Sequence, residues 1–261
     1  MALTDTLTTL LRDGFILVFN QPKLDIVRTG QAVRQAGMAN MEVTCRIDRP
    51  LEKIARLRRE MPELVVGAAS LIDSPGMLAA YNAAHSDDPL PTVSEAIDAG
   101  AEYIVSAGNF RPETYERFGG TTVIMPGCGS VTEIITQFAL GANLCKVFPA
   151  AELGGPAFVK AIDPAIHKTI SLVPTGGTNS DNIGAYIAAG VLAVGCSFSA
   201  IPKAMLGTII DTQDYEMLAR ELAKLKKLVD SHRAQQYPGL DFAAADVSDI
   251  AAATGRSFNI R

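Results

Sequence analysis

A lysine interrupts an otherwise apolar run at Leu144-Cys145-Lys146-Val147-Phe148-Pro149. An ammonium buried in such a run is costly unless its pKa falls, and a lysine with a lowered pKa is a nucleophile able to form an imine with a carbonyl. The same position suits a lysine that snorkels to a rim or is salt-bridged inside the fold. A second run, Met41-Glu42-Val43-Thr44-Cys45-Arg46, carries a carboxylate and a guanidinium at alternating positions. Strand pleating puts Glu42, Thr44 and Arg46 on one face. There Glu42 could serve as general base through a water and Arg46 could clamp a substrate carboxylate; a structural ion pair accounts for the pattern equally well. Two glycine-bearing turns, Val173-Pro174-Thr175-Gly176-Gly177-Thr178 and Val194-Gly195-Cys196-Ser197-Phe198, offer free backbone N–H groups of the kind that cradle phosphate. A Gly pair is also simply what a tight turn requires.

These side chains need a frame that delivers them to one place. Short β-branched apolar runs at 15–19, 41–44, 64–67, 103–106, 122–125, 144–148, 171–174 and 192–195 read as strands. Helical patterns at 25–36, 51–60, 93–99, 112–118, 131–140, 157–162 and 182–188 alternate with them. Near-continuous apolar strands are those covered on both faces, as in parallel sheets. The reading is therefore an α/β fold, a (β/α)8 TIM barrel, single domain with a C-terminal helical extension. Residues 1–207 form the barrel with an N-terminal helix; 208–261 form a helix and tail packing on the barrel or on a neighbouring subunit.

Local signals sharpen the boundaries. Ser130 with Glu133 reads as a capping box directly after the glycine loop Pro126-Gly127-Cys128-Gly129, where the fifth strand ends. Residues 73–92 read as an ordinary helix plus a surface insertion, centred on 81–92. Leucines at 218, 222 and 225 with Val229 mark one amphipathic helix over 211–235, and the tail from 237 is either docked or partly disordered.

Composition narrows the partners. The 261 residues are 48 % hydrophobic and 20 % charged, with a net charge of −5, which excludes a disordered chain and argues against nucleic acid. Asp5 sits where a secretory signal would need a basic start, and no apolar stretch is long enough to span a membrane, so the expectation is a cytoplasmic protein acting on a small molecule. Cys45, Cys128, Cys145 and Cys196 lack metal or redox spacing and read as reduced core thiols. His85, His167 and His232 lie far apart in the chain, so neither a metal nor another cofactor is expected.

Taken in order, the motifs resemble those of the class I 2-keto-3-deoxy-6-phosphogluconate (KDPG) and 4-hydroxy-2-oxoglutarate (KHG) aldolases, which are Schiff-base barrel enzymes. MEVTCR (41–46) resembles the family's E-V-T-x-R, VGAAS (66–70) its G-A-G-T, IVSAG (104–108) its S-P-G, KVFPAAELGGP (146–156) its K-F-F-P-A-E-x-x-G-G, PTGG (174–177) an identical block, and GCSF (195–198) its G-G-S-W. The resemblance implies Lys146 as the imine-forming residue, Glu42 as general acid/base and Arg46 as the binder of the pyruvyl carboxylate, helped by Ser70. It implies Phe148 lining the pocket, and Gly176, Gly177 and Ser197, with Thr175 beside them, at the distal phosphate. It also implies a keto acid substrate cleaved to pyruvate and an aldehyde, and a homotrimer. Departures from the pattern are Ser70 for Thr, Ala69 for Gly, Ala107 for Pro, Cys196 for Gly and Phe198 for Trp. The fourth is expected to put a thiol side chain where a phosphate would meet backbone. Two other readings stand beside this one: a phosphate-binding isomerase or synthase using Glu42 without an imine, and a catalytically idle barrel that only binds.

Overall fold

The computed structural model describes residues 2–260; Met1 and Arg261, the outermost residues of the two terminal segments discussed above, lie outside the described residues. Its strands are β1 (Phe15–Phe19), β2 (Asn40–Thr44), β3 (Val65–Leu71), β4 (Tyr103–Ser106), β5 (Val123–Met125), β6 (Gly127–Cys128), β7 (Cys145–Val147), β8 (Leu172–Pro174) and β9 (Val194–Ser197). All pair in parallel, in the orders β5-β4-β3-β2-β1-β9 and β6-β7-β8. A parallel bridge from Thr175 to Gly195 links the ends of β8 and β9. The result is a curled, barrel-like parallel sheet wrapped by helices.

Strand boundaries differ from the sequence reading: β3 runs on to Leu71, past the expected 64–67, and two others differ for reasons of pairing. The fifth strand does not end at Pro126: β5 pairs with β4, the proline intervenes without an N–H to donate, and β6 resumes as the partner of β7. The glycine loop expected at 126–129 is thus half strand. The last strand lies two residues later than expected, because its partner sets its register: Val194 N donates to Gly14 O at 3.0 Å and Val194 pairs with Phe15.

Alternation sorts the strand side chains into two layers. Leu17, Val43, Ala68, Ile104, Val147 and Val194 face outward and join the helices in the larger apolar cluster. Ile16, Val65, Ala69, Tyr103, Met125, Leu144 and Val173 face inward, and the helix Leu3–Asp13 presents Leu3, Leu7, Leu10 and Leu11 to the same inner cluster. That helix closes the amino-terminal end of the sheet.

The outer helices begin where their caps dictate. Asp25 accepts the N–H groups of Val27 and Arg28 to start Ile26–Gln35, and Thr92 with Glu95 forms a full capping box for Val93–Asp98. Ser130 accepts Glu133 N at the head of Val131–Leu140, but the Glu133 carboxylate takes Gly129 N at 2.7 Å instead of the cap's own amide, so the expected box is displaced by one residue. The single helix expected at 211–235 is two, Lys203–Thr212 and Tyr215–Gln236, separated where Gln213 turns left-handed and Asp214 caps Met217 N. Residues 237–260 fold back under the sheet. Arg12 donates to Ala244 O and Ala245 O, Asn143 Nδ2 donates to Phe258 O, and the helix Val247–Thr254 packs on Leu3–Asp13. Among the described residues no helix is long and apolar enough to cross a membrane.

Candidate active site

At the carboxyl-terminal ends of the strands the inward positions turn polar and enclose a cavity of about 670 Å³. The mouth of a parallel barrel-like sheet is where strand ends and the loops after them converge. Glu42, Arg46, Ser70, Lys146, Phe148, Thr175, Gly176, Gly177 and Ser197 all line this one cavity. Residues separated by 155 positions of sequence, Glu42 to Ser197, are brought together by the parallel order alone.

Glu42 projects inward between the outward-facing Met41 and Val43 on β2, above the inward-facing Tyr103, whose ring lies where a Cβ on Gly67 would otherwise go. It is buried, and burial pushes its carboxyl up to about 7, partly opposed by the positive charge of Lys146. Lys146 projects inward from β7 between Cys145 and Val147, with Nζ 4.6 Å from the centre of the Phe148 ring. Burial pulls its ammonium below the usual lysine range; Glu42 resists that shift and Arg46 adds to it. A carboxyl that titrates near neutrality and an amine biased toward its free base therefore face one space, which suits proton transfer and nucleophilic attack. Neither snorkelling to a rim nor a direct salt bridge describes this lysine: it is 6 % exposed, and among the described residues no ion pair holds it.

Arg46 lies in the turn after β2 with its guanidinium exposed at the mouth. Thr44, on the same face as Glu42, donates from Oγ1 to Ser70 Oγ at 2.8 Å. Ser70 holds φ at 62° where the β3–β4 register shifts. A left-handed conformation costs a non-glycine residue about 1 kcal/mol, and here it turns the hydroxyl into the cavity. Opposite, Gly176 and Gly177 have φ values of 90° and 73°, and Asn179 and Asn182 both donate to Gly177 O. A Cβ on Gly177 would collide with Ala151, so the turn admits no side chain there. Ser197 Oγ lies 2.7 Å from Ser199 Oγ, and Thr178 donates to Gly195 O.

The expected intrusion of Cys196 does not occur. Cys196 is an outward residue of β9, fully buried with the helix layer, where burial pushes its thiol up to about 12; Phe198 likewise turns away and meets Phe19 edge-on at 6.0 Å. Alternation explains both, since Gly195 and Ser197 occupy the inward positions. All four cysteines are free and buried.

The 73–92 segment has the helix expected of it, but it is not a mere surface insertion beside the site. It forms the helix Pro75–Ala84, and Met77, Tyr81 and Leu90 line the cavity. Met77 and Tyr81 carried no sequence signal because their helix has no apolar stripe, with Leu78 its one buried residue, and Leu90 lies in the irregular stretch after it. Asn109 and Ser199 also line the site and were not singled out; short polar residues just beyond a strand end were the available signal. Among the described residues no group of His, Cys, Asp and Glu is arranged to hold a metal ion.

The chain matches the family model "Aldolase: KDPG and KHG aldolase" over residues 89–219. It is 30 % identical over 224 residues to the 2-dehydro-3-deoxy-phosphogluconate aldolase of Pseudomonas aeruginosa, covering 84 % of this chain and 92 % of that protein. To the KHG/KDPG aldolase of Escherichia coli it is 29 % identical, covering 77 % and 86 %. The fold is similar to that of a solved KDPG aldolase from Legionella pneumophila, described with pyruvate captured as a covalent carbinolamine: TM-score 0.67, 23 % identity, covering 86 % of this chain and 98 % of that one.

Proposed function

Since this chain belongs to the KDPG and KHG aldolase family, we propose that it is a carbon–carbon lyase that reversibly cleaves a 2-keto-3-deoxy (phospho)sugar acid or 4-hydroxy-2-oxoglutarate to pyruvate and an aldehyde through an imine on Lys146. The observation that carries this is the burial of Glu42 and Lys146 in one cavity, each moved by its surroundings toward the protonation state the chemistry needs.

Lys146 Nζ attacks the C2 carbonyl, and Glu42 supplies and removes the protons that take the carbinolamine to the iminium with loss of water. Arg46, with the Ser70 hydroxyl, holds the substrate carboxylate at the mouth. Glu42 as carboxylate then takes the C4 hydroxyl proton, the C3–C4 bond breaks, its electron pair moves into the iminium, and the aldehyde departs from the resulting enamine. Glu42 returns a proton to C3, and water releases pyruvate and the free lysine. Phe148 packs beside the lysine, while the backbone of Gly176 and Gly177, with Thr175 and Ser197, meets the distal end of the substrate.

The same reading extends to the architecture. The meeting of β5 and β6 at Pro126 and the Thr175–Gly195 bridge support one closed eight-stranded barrel, with 1–207 as its body and 208–261 as an extension. A homotrimer completes it, on the family resemblance, with the cytoplasm as its place on the amino-terminal and cysteine pattern; sedimentation at the mass of a monomer would remove the trimer.

The deciding test is mass spectrometry after incubation with pyruvate and sodium borohydride. The wild-type chain gains a reduced pyruvyl adduct and Lys146→Ala does not. No adduct on a folded wild-type protein leaves Lys146 as a fixed charge and Glu42 as a proton carrier for an imine-free isomerase or synthase.

A further inference from the structure

Beneath the cavity the interior of the sheet is not apolar throughout. Asp13, Asn40 and Tyr103 form a chain of polar groups there, all three buried. Asn40 Nδ2 donates to Asp13 Oδ2 at 2.7 Å and to Phe15 O at 3.0 Å, which commits both of its hydrogens. Asn40 therefore offers Tyr103 only an acceptor, and the tyrosine hydroxyl donates to Asn40 Oδ1 at 3.3 Å. The proton of that hydroxyl points down the chain and away from the cavity.

Register fixes where the tyrosine ring goes. Glu42 pairs with Gly67 and Gly67 with Tyr103, so the three lie level on the inner face of β2, β3 and β4. A Cβ on Gly67 would stand 2.2 Å from Tyr103 Cε2 and 2.3 Å from Cζ, so the ring crosses β3 through the space that the missing side chain leaves. Its hydroxyl then meets β2 at Asn40, one inward position before Glu42. The ring spans the interior beneath the Glu42 carboxyl and presents carbon there, with its one polar atom engaged below.

The surroundings of Glu42 hold little else that could desolvate or solvate it from that side. Among the described residues no hydrogen bond reaches its carboxyl. The titratable groups about it are Lys146 on β7, Cys45 and Arg46 after β2, and Tyr103 on β4. Its paired inward neighbours Val18 on β1 and Gly67 on β3 carry none. Lys146 favours the carboxylate, so the burial that overrides it comes from apolar groups packed against the carboxyl.

We propose that Tyr103 is a positioning residue for Glu42: its ring, seated by the Asp13–Asn40 chain and admitted by Gly67, is the floor that keeps water from the underside of the carboxyl. The inference rests on Glu42 as the proton carrier of the proposed reaction and adds the group that prepares it.

The titration of Glu42 is read directly by carbon-13 NMR of protein labelled at its glutamate side-chain carboxyls, with Glu42→Gln identifying the resonance, and in parallel from the pH profile of kcat/KM. Wild type is expected to titrate near 7. Tyr103→Phe keeps the ring but strands Asn40 Oδ1, so its melting temperature falls while the midpoint stays where it is. Tyr103→Ser removes the floor, and the water that enters moves the midpoint toward acid by about one pH unit or more. Tyr103→Leu carries the same prediction should the serine variant not fold, because leucine ends short of Asn40 and leaves a gap rimmed by Asn40 Oδ1 and the Glu42 carboxyl, polar enough to hold water. A midpoint equal to that of wild type in the folded serine or leucine variant overturns the proposal. So does a phenylalanine variant shifted as far as those two, since the hydroxyl and not the ring would then be responsible. Borohydride trapping with pyruvate on the same proteins keeps the two claims apart: a wild-type chain that forms no adduct sinks the imine reading, while the NMR titration still decides the floor.

Discussion

At the carboxyl ends of the strands Glu42 and Lys146 are buried, and at the amino ends Asp13 and Arg233 are buried as deeply. Both pairs have shifted pKa values. Desolvation raises Asp13 against its hydrogen bonds from Ala39 and Asn40, and lowers Arg233 to about 10. What separates the ends is where the charged atoms find partners. Asp13 Oδ2 accepts Ala39 N at 2.6 Å and Asn40 Nδ2 at 2.7 Å. Arg233 donates to Leu11 O at 2.6 Å and Arg12 O at 3.1 Å, closing the last carbonyls of the helix Leu3–Asp13, with its guanidinium 3.4 Å from the centre of the Phe242 ring. Glu42 and Lys146 have instead each other's field and a cavity. A shifted pKa alone does not mark a site; a shifted group whose polar atoms point into open space does.

The sharpest way to break this comparison is a pair of methionine substitutions. Lys146→Met is expected to lower kcat at least about 10³-fold, as loss of a nucleophile does, while leaving the melting temperature unchanged or higher, because a buried charge has been replaced by an apolar chain. Arg233→Met should do the reverse, keeping kcat in the folded fraction and lowering stability by about 3 kcal/mol through two lost charge-assisted bonds to carbonyls. Equal behaviour of the two in assay and denaturation would erase the distinction.

Glu42→Gln keeps the shape and removes the titration. Its kcat is expected to drop about 10²- to 10⁴-fold, with loss of the bend expected in wild-type kcat/KM near pH 7, the value toward which burial pushes Glu42.

The same group should appear in stability. A carboxyl raised in the folded state from 4.5 to about 7 stabilises the fold fully below the unfolded value and loses that contribution as pH rises through about 7. Wild type should therefore lose about 3 kcal/mol relative to Glu42→Gln between these limits. Thermal melts of both proteins across that range check the sign. A difference that grows toward acid would show Glu42 to be held as an ion.

The smallest expected effect is that of Ser70→Gly. It relieves about 1 kcal/mol of left-handed strain and gives up a bond from Thr44 worth about 1 kcal/mol, so the melting temperature hardly moves. The KM for pyruvate is expected to rise a few-fold, measured in steady-state kinetics.

Periodicity made much of the fold legible from residues alone. Alternation over 41–46 put Glu42 and Arg46 on one face, and unbroken apolar runs marked parallel strands, because faces and covers are local properties of a pleated chain. The family motifs likewise name residues that prove to share one cavity, Lys146 and Glu42 among them.

Other features had no local signature. Pro126 divides a strand because two different neighbours claim its halves, and the last strand starts at Val194 because Gly14 sets the pairing. The sequence by itself determined which segments form most of the strands and helices and which neighbouring side chains share a face, since both follow from short-range steric and hydrophobic patterning. Only the tertiary structure decided that Cys196 lies outside the cavity, that Ser70 is turned left-handed into it, and that residues 73–92 wall it with Met77, Tyr81 and Leu90. Those outcomes depend on register between strands and on the path of a loop, which contacts distant in the chain fix and no local pattern encodes.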